Sequence, residues 1–331
     1  MVEHEPEMKR MLLITVLGFL LCTTDVCAQD GWRWTMACWN VENLFDTRHD
    51  TMKDDCAFTP VGDNHWTTKR YQDKQNKIFK TIAAMQWPVV VGMAEVENDH
   101  VLRDLCRNTP LRKLGYDFVH FESPDQRGVD CALLYRKGLF DVFESTNIYV
   151  SDTAEGFYTR DILLVGGVLQ DTASRDDTCY ILVNHWPSKR GGAEAERHRM
   201  EIAHRLLHTM DSLQRSHPAA LIVAMGDFNA SGDEEAMRRG LGFAGGERNS
   251  EGFYNLMCQI PQGEGSYKYK DTWSCIDQVI ANRKLKVELF APDFLLVDDE
   301  KYLGRKPFRT YTGMNYLGGY SDHLPVIIRI P

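Results

Sequence analysis

The chain has 331 residues, 43% of them hydrophobic and 26% charged, with a net charge of −9. This is ordinary globular composition, and a chain of this length buries a full core without disulfide or metal staples. The acidic balance excludes the general basic field that draws many proteins to nucleic acid, so attraction for phosphate has to come from a local patch or a bound cation.

Lys9 and Arg10 precede the apolar run Met11–Leu21, and Val26, Cys27 and Ala28 then give a small-residue cleavage pattern. Residues 1–28 are therefore read as a secretory signal peptide, which places the protein in a periplasm or outside the cell. The run falls short of the ~20 residues a membrane span requires. The remaining cysteines show no C-x-x-C pair, which disfavours a zinc framework. Cys38, Cys131 and Cys179 fall inside apparent strands, as packed small hydrophobes do.

Trp34–Trp39 predicts a strand running into WNVEN, where Asn40 and Glu42, two apart, face one side of an extended chain. The acidic loop 48–66 reads as solvated. Tyr71, Ile78, Ile82 and Met85 recur near a helical period over Lys69–Gln86, and Pro88 stops that helix. Val89–Ala94 is an unbroken apolar run, hence a buried strand, with Glu95 at its end. Tyr116–Phe121 and Cys131–Tyr135 predict two strands joined by Ser123–Asp130. Arg160 precedes a strand at Ile162–Val168, and the strand Cys179–Val183 ends in NHW with His185.

Glu194–Arg215 is an amphipathic helix with Ala203, Leu206, Met210 and Leu213 on its apolar stripe. Leu221–Met225 predicts a central strand that delivers Asp227 and Asn229 in GDFN. Residues 231–264 are Gly-rich and irregular. Ser266–Trp273 alternates as an exposed strand would, and Ile276–Ala281 is a strand with Asp277 near its start. Tyr302–Tyr320 is aromatic and basic, and SDHLPV supplies Asp322 and His323 before a last strand to Ile330. One compact domain, residues 29–331, is the simplest organisation.

Each polar residue has a bland reading alone: an Asp after a strand is often a turn, a Glu a helix cap, a lone His a structural group. Together they form a set of carboxylates, amides and imidazoles at the ends of apolar runs. Phosphoester hydrolysis uses such a set. Carboxylate and amide oxygens hold a hard cation, a carboxylate positions water, and imidazoles meet the phosphorus centre or the leaving oxygen.

With WNVEN, MAEVEN, NHW, GDFN, IDQ and SDHLP in this order, the chain resembles the endonuclease/exonuclease/phosphatase superfamily over nearly all of residues 33–330. The resemblance implies an α/β fold, a four-layer sandwich of two mixed β-sheets face to face flanked by helices, with the site at one end. It implies a Mg²⁺ (or Mn²⁺) ion held at Asn40, Glu42, Glu95 and Asp322. It casts His185 as a contact to the scissile phosphate and Asp227 as the residue that orients or deprotonates water. Asn229 and Arg160 would bind phosphate, and Asp277 would hold His323. Asp130 is a further candidate, on position alone, to partner His185. The expected substrate is a phosphate ester. Phosphodiester cleavage, with nucleic acid among the candidates, is favoured because the 302–320 stretch offers rings and cations. A phosphatase or phospholipase-like enzyme acting on a small ester, inositol phosphate or lipid head group is the alternative, and a non-catalytic binding protein of the same fold ranks below both. No permanent protein partner is indicated, and a monomer is expected.

Overall fold

The computed structural model describes residues 31–152, 154–170 and 177–331. The proposed signal peptide lies outside the described residues. Two six-stranded sheets stand face to face. Their strands, in chain order, are β1 (Trp34–Leu44), β2 (Val90–Val96), β3 (Tyr116–His120), β4 (Asp130–Arg136), β5 (Phe140–Ile148), β6 (Ile162–Leu169), β7 (Asp177–His185), β8 (Leu221–Asp227), β9 (Tyr254–Asn255), β10 (Asp277–Ala281), β11 (Lys286–Leu289) and β12 (Val326–Ile330). The first sheet runs β11-β12-β1-β2-β4-β3 and the second β5-β6-β7-β8-β10-β9. Each is mixed: β1 with β2 and β7 with β8 are parallel, and their other pairings are antiparallel.

Alternation along the strands builds the layers, because successive side chains point to opposite faces. Met36 and Cys38 of β1 turn inward to meet Val183, Val223 and Met225 of the second sheet. Ala37 and Trp39 turn outward, against Ile78 and Ile82 of helix α1 (Thr68–Ala84) and Val101 and Leu105 of helix α2 (Asp99–Asn108). On the far side, Leu182, Ile222 and Ala224 pack against Ile202, Leu206 and Met210 of helix α3 (Gly192–Ser216). With both faces of the central strands covered, their sequences read as continuous apolar runs. The four-layer α/β sandwich expected from the sequence is the architecture found. Cys38, Cys131 and Cys179 lie in the inter-sheet core, and all seven cysteines among the described residues are free.

Some local expectations need correction. Helix α2 was not anticipated, although Asn98 caps it by accepting from the His100 and Val101 amides at 2.9 and 3.0 Å. Such a cap contributes about 1 kcal/mol. Residues 266–273 do not form one strand. Tyr267–Tyr269 and Thr272–Ser274 pair as a hairpin, with Lys270 at φ 56 in the turn. The loop 48–66 is not simply solvated, since Asp55 is buried and its Oδ2 accepts the Asp50 amide at 2.9 Å. No helix among the described residues is long and apolar enough to cross a membrane.

Candidate active site

Three neighbouring strands of the second sheet bring their polar ends level. In the parallel pairing of β7 with β8, His185 stands opposite Asp227, and in the antiparallel pairing of β8 with β10, Asp227 stands opposite Asp277. Gly226 makes this close approach feasible. Its φ is +129°, and a Cβ there would stand 2.2 Å from the Asn184 carbonyl oxygen. From the first sheet, β1 contributes Asn40 and Glu42, and β2 contributes Glu95. The β1–β2 register slips between Asn40 and Leu44, and Glu42, Asn43 and Glu95 all carry φ between 53 and 64°. Asn229 has φ 47. Left-handed backbone at non-glycine residues is costly and concentrates where a bulge re-aims side chains into a site.

These ends open on a cleft of about 1020 Å³. Glu42, Glu95, His185, Asp227, Asp322 and His323 line it, together with Arg160 and Asn229. Asn40 and Asp277 support it from beneath. Asn40 Nδ2 donates to Asp227 Oδ2 at 3.0 Å, and Asn40 Oδ1 accepts the Glu42 amide at 2.9 Å. Asp277 Oδ2 accepts from Ser266 Oγ at 2.5 Å and meets His323 Nδ1 at 2.7 Å.

Asp227 is the hub. Its Oδ1 accepts the Asn229 amide at 2.8 Å, and its Oδ2 lies 3.8 Å from both His185 Nε2 and His323 Nε2. His185 Nε2 is also 3.8 Å from Glu95 Oε1. The environments of the two imidazoles diverge. Burial, then the Arg160 and Arg127 charges, hold His185 well below the usual imidazole range, so it is neutral. Burial would also lower His323, but Asp277, Asp227 and Asp322 outweigh it and hold that ring well above the range, charged. Burial lifts the Asp227 carboxyl to about 7, against the His323 charge, which lowers it.

The Trp186 carbonyl ties two phosphate-binding candidates together, accepting from Arg160 Nη2 at 2.7 Å and Asn229 Nδ2 at 3.0 Å. Arg160 Nη1 is fixed by Asp125 at 3.0 Å, while its Nε has no hydrogen-bond partner. Glu42 is clasped by the Thr310 and Tyr311 amides at 2.6 and 3.1 Å. Below it, Lys74 donates to Thr310 Oγ1 at 2.7 Å and the Tyr320 carbonyl at 2.6 Å. Asp130 does not partner His185. Ser123 holds its Oδ1, its Oδ2 faces His120 at 3.3 Å, and His185 Nδ1 has no hydrogen-bond partner.

The 302–320 stretch is a wall of the site rather than a stacking platform. Lys306 pairs with Asp299, Arg70 covers Tyr316, and Tyr320 packs on Phe294 and Phe308. Only Arg309, Tyr311 and Gly313 of the stretch reach the cleft, with Arg309 3.4 Å from Asp322. Sequence reading missed Ser266, Lys74 and Arg127 as site residues and held Arg309 only as part of the 302–320 stretch. Arg127 lies in a loop, Lys74 within a helix, and Ser266 just ahead of a short strand, Tyr267–Tyr269, rather than after an apolar run.

A family model described as Endonuclease/Exonuclease/phosphatase family matches residues 35–331. The chain belongs to this family. It is a metal-dependent phosphoric ester hydrolase, in keeping with the site's acids and imidazoles. No curated protein matches it. Solved structures of the endonuclease/exonuclease/phosphatase fold do. The human Nocturnin catalytic domain with bound sulfate is 16% identical, with 90% of this chain and 93% of that one covered and a TM-score of 0.55. A mannosyl-6-phosphatase from Bacteroides thetaiotaomicron is 17% identical, with 89% and 98% covered and a TM-score of 0.54. TDP2 from Caenorhabditis elegans is 14% identical, with 96% and 85% covered and a TM-score of 0.57.

The donor set fits the divalent cation of this family. Burial and then the Asp322 charge push Glu42 up to about 7, and a cation beside it would favour its charged form. The ligand atoms of Asp227, Asp277 and His323 also lie within 4.8 Å of one another. Asp277 and His323 are, however, already engaged with each other. Glu95 and Asp322 both line the cleft, where the Asn43 amide donates to Glu95 Oε2 at 2.8 Å and Arg309 lies 3.4 Å from Asp322.

Proposed function

We propose that the chain is an exported phosphodiesterase that cleaves its substrate with Mg²⁺ or Mn²⁺ held by Glu95 and Asp322. Glu42, whose oxygens accept the Thr310 and Tyr311 amides, would reach the ion directly or through water, and the Asn40 oxygen would brace that end. The cation, when bound, neutralises phosphate charge and polarises the ester. The chain's own residues do the rest. Asp227 orients the attacking water and takes its proton. Neutral His185 donates a hydrogen bond to a phosphoryl oxygen, and charged His323, held by Asp277, stabilises the charge that develops opposite. Arg160 and Asn229 fix the phosphate. The observation that carries this reading is the placement of both imidazoles on one oxygen of Asp227.

Phosphodiester substrates, with nucleic acid foremost, are favoured by the cleft's rim. Arg127, Lys189, Arg190, Lys270 and Arg309 ring its acidic floor, and the half-open Tyr269 ring offers a stacking face. The net acidity of the chain supports a second reading, a small phosphate monoester or lipid head group. Residues 1–28 supply the export signal, and a monomer without permanent partner is the working assembly. The test is purified protein with Mg²⁺ or Mn²⁺ presented with single-stranded and duplex DNA, RNA, inositol phosphates, a sugar phosphate and sphingomyelin. Cleavage of nucleic acid is the expected result. Intact nucleic acid beside hydrolysed monoester or sphingomyelin would reverse the order.

A further inference from the structure

A second cluster of ligand-type side chains stands outside the reaction cleft, where the chain leaves β3 and returns to β4. It contains His120, Glu122 and Asp130, whose ligand atoms lie within 4.8 Å of one another. Asp130 Oδ1 is held by the Ser123 amide at 3.0 Å and by the Ser123 hydroxyl, which turns Oδ2 toward His120. The Asp130 and His120 side chains are only 1% and 3% exposed, and their facing atoms, Oδ2 and Nε2, are 3.3 Å apart. Neither atom has a hydrogen-bond partner. The pair is close enough for an ion pair if the ring is protonated, but it does not meet hydrogen-bond geometry, so neither buried atom is satisfied within the chain. Buried polar atoms left in this way call for an explanation, and an ion is one.

We propose that His120, Asp130 and Glu122 form a structural site for a borderline divalent cation, Zn²⁺ in the first instance. Two ligands about 2.0–2.2 Å from a tetrahedral zinc stand roughly 3.3–3.5 Å apart, which is the spacing found between Nε2 and Oδ2. An imidazole beside carboxylates favours zinc over magnesium. Glu122 is the outer arm. Burial and then Asp130 raise its carboxyl above the usual range, as expected of an acid beside another acid. The neighbouring cation, Lys53, directs its donors to the Ser123 and Asp125 carbonyls at 2.8 and 3.0 Å. The ion fastens the base of the loop 123–129. That loop carries Asp125, which fixes Arg160, and Arg127, which lines the cleft. The site is thus distinct from the reaction centre and positions it from behind.

The experiment is zinc titration of the full, metal-stripped protein against a chromophoric chelator, with thermal unfolding alongside. Glu95→Gln, in which the cleft's cation site is disabled, is expected to take up one zinc and to gain thermal stability with it, while wild type has the cleft site besides. Added to Glu95→Gln, His120→Gln should weaken that uptake by at least ~10-fold, Glu122→Gln less, and both should lose the thermal gain. Zinc uptake by Glu95→Gln that survives the added His120→Gln, or no uptake by Glu95→Gln at all, would overturn the proposal. The His120 side chain is buried and Glu122 exposed, so circular dichroism checks the fold of His120→Gln, and Glu122→Gln keeps the test readable even if His120→Gln or Asp130→Asn fails to fold. It is read from binding, so it is independent of which ester the cleft hydrolyses.

Discussion

His185 and His323 present their Nε2 atoms to the same oxygen, Oδ2 of Asp227, each at 3.8 Å. They reach it from different strand ends and with opposite electrostatics, one ring facing arginines and the other facing carboxylates. A single carboxylate between a neutral and a charged imidazole can take a proton on one side while a fixed positive charge stands on the other.

The two rings should titrate on opposite sides of the ordinary imidazole value. His185, depressed by burial and by Arg160 and Arg127, contributes stability that is present above pH ~6.5 and lost as pH falls toward its own value. His323 is raised, so its contribution is full below pH ~6.5 and lost as pH climbs through its elevated value. Imidazole NMR titration of wild type, assigned with His185→Gln and His323→Gln, checks this. Two rings titrating together near 6.5 would contradict it.

Replacing either histidine by alanine should lower kcat by at least ~10²-fold while the fold persists, as loss of an acid–base or electrostatic group does. Steady-state kinetics with circular dichroism on the same samples measures both.

Asp277 never touches the cleft, so Asp277→Asn tests positioning rather than contact. The substitution keeps the shape and removes the largest of the carboxylate charges that together outweigh burial at His323. Activity should then fail at lower pH on the alkaline side, with KM little changed. A uniform fall across pH with no shift of the alkaline limb would assign Asp277 a merely structural role.

Lys74 is a buried lysine whose donors hold the Thr310 hydroxyl and the Tyr320 carbonyl, next to the amides that clasp Glu42. Lys74→Met should cost about 1–3 kcal/mol, because buried acceptors lose their partner. Urea unfolding of wild type and variant measures it.

The strand ends were legible because a buried strand is an apolar run, and a carboxylate directly after one stands out. Glu95, His185, Asp227 and His323 were all visible on that basis. Position relative to an apolar run does not say whether a side chain faces the cleft or braces it, so Asn40 and Asp277 were not separable from Glu95 and Asp322. The 302–320 stretch misled for a related reason. Its rings and cations look exposed in composition, yet Asp299, Arg70 and Phe294 engage them in the fold. Ser266 opens an alternating stretch read as an exposed strand, and Arg309 sits in a loop, so neither followed a buried apolar run that would mark it. Helix α2 carried its signal in the Asn98 cap and the Val101, Leu102, Leu105 spacing, but ten residues is short for that pattern to stand out.

The most direct test of the central claim is cation dependence at Glu95. Protein stripped of metal should be inactive on its ester and recover with Mg²⁺ or Mn²⁺. Glu95→Gln should need at least ~10-fold more cation or fail to recover. Full activity of the stripped enzyme, or an unchanged cation requirement in Glu95→Gln, would contradict the assignment.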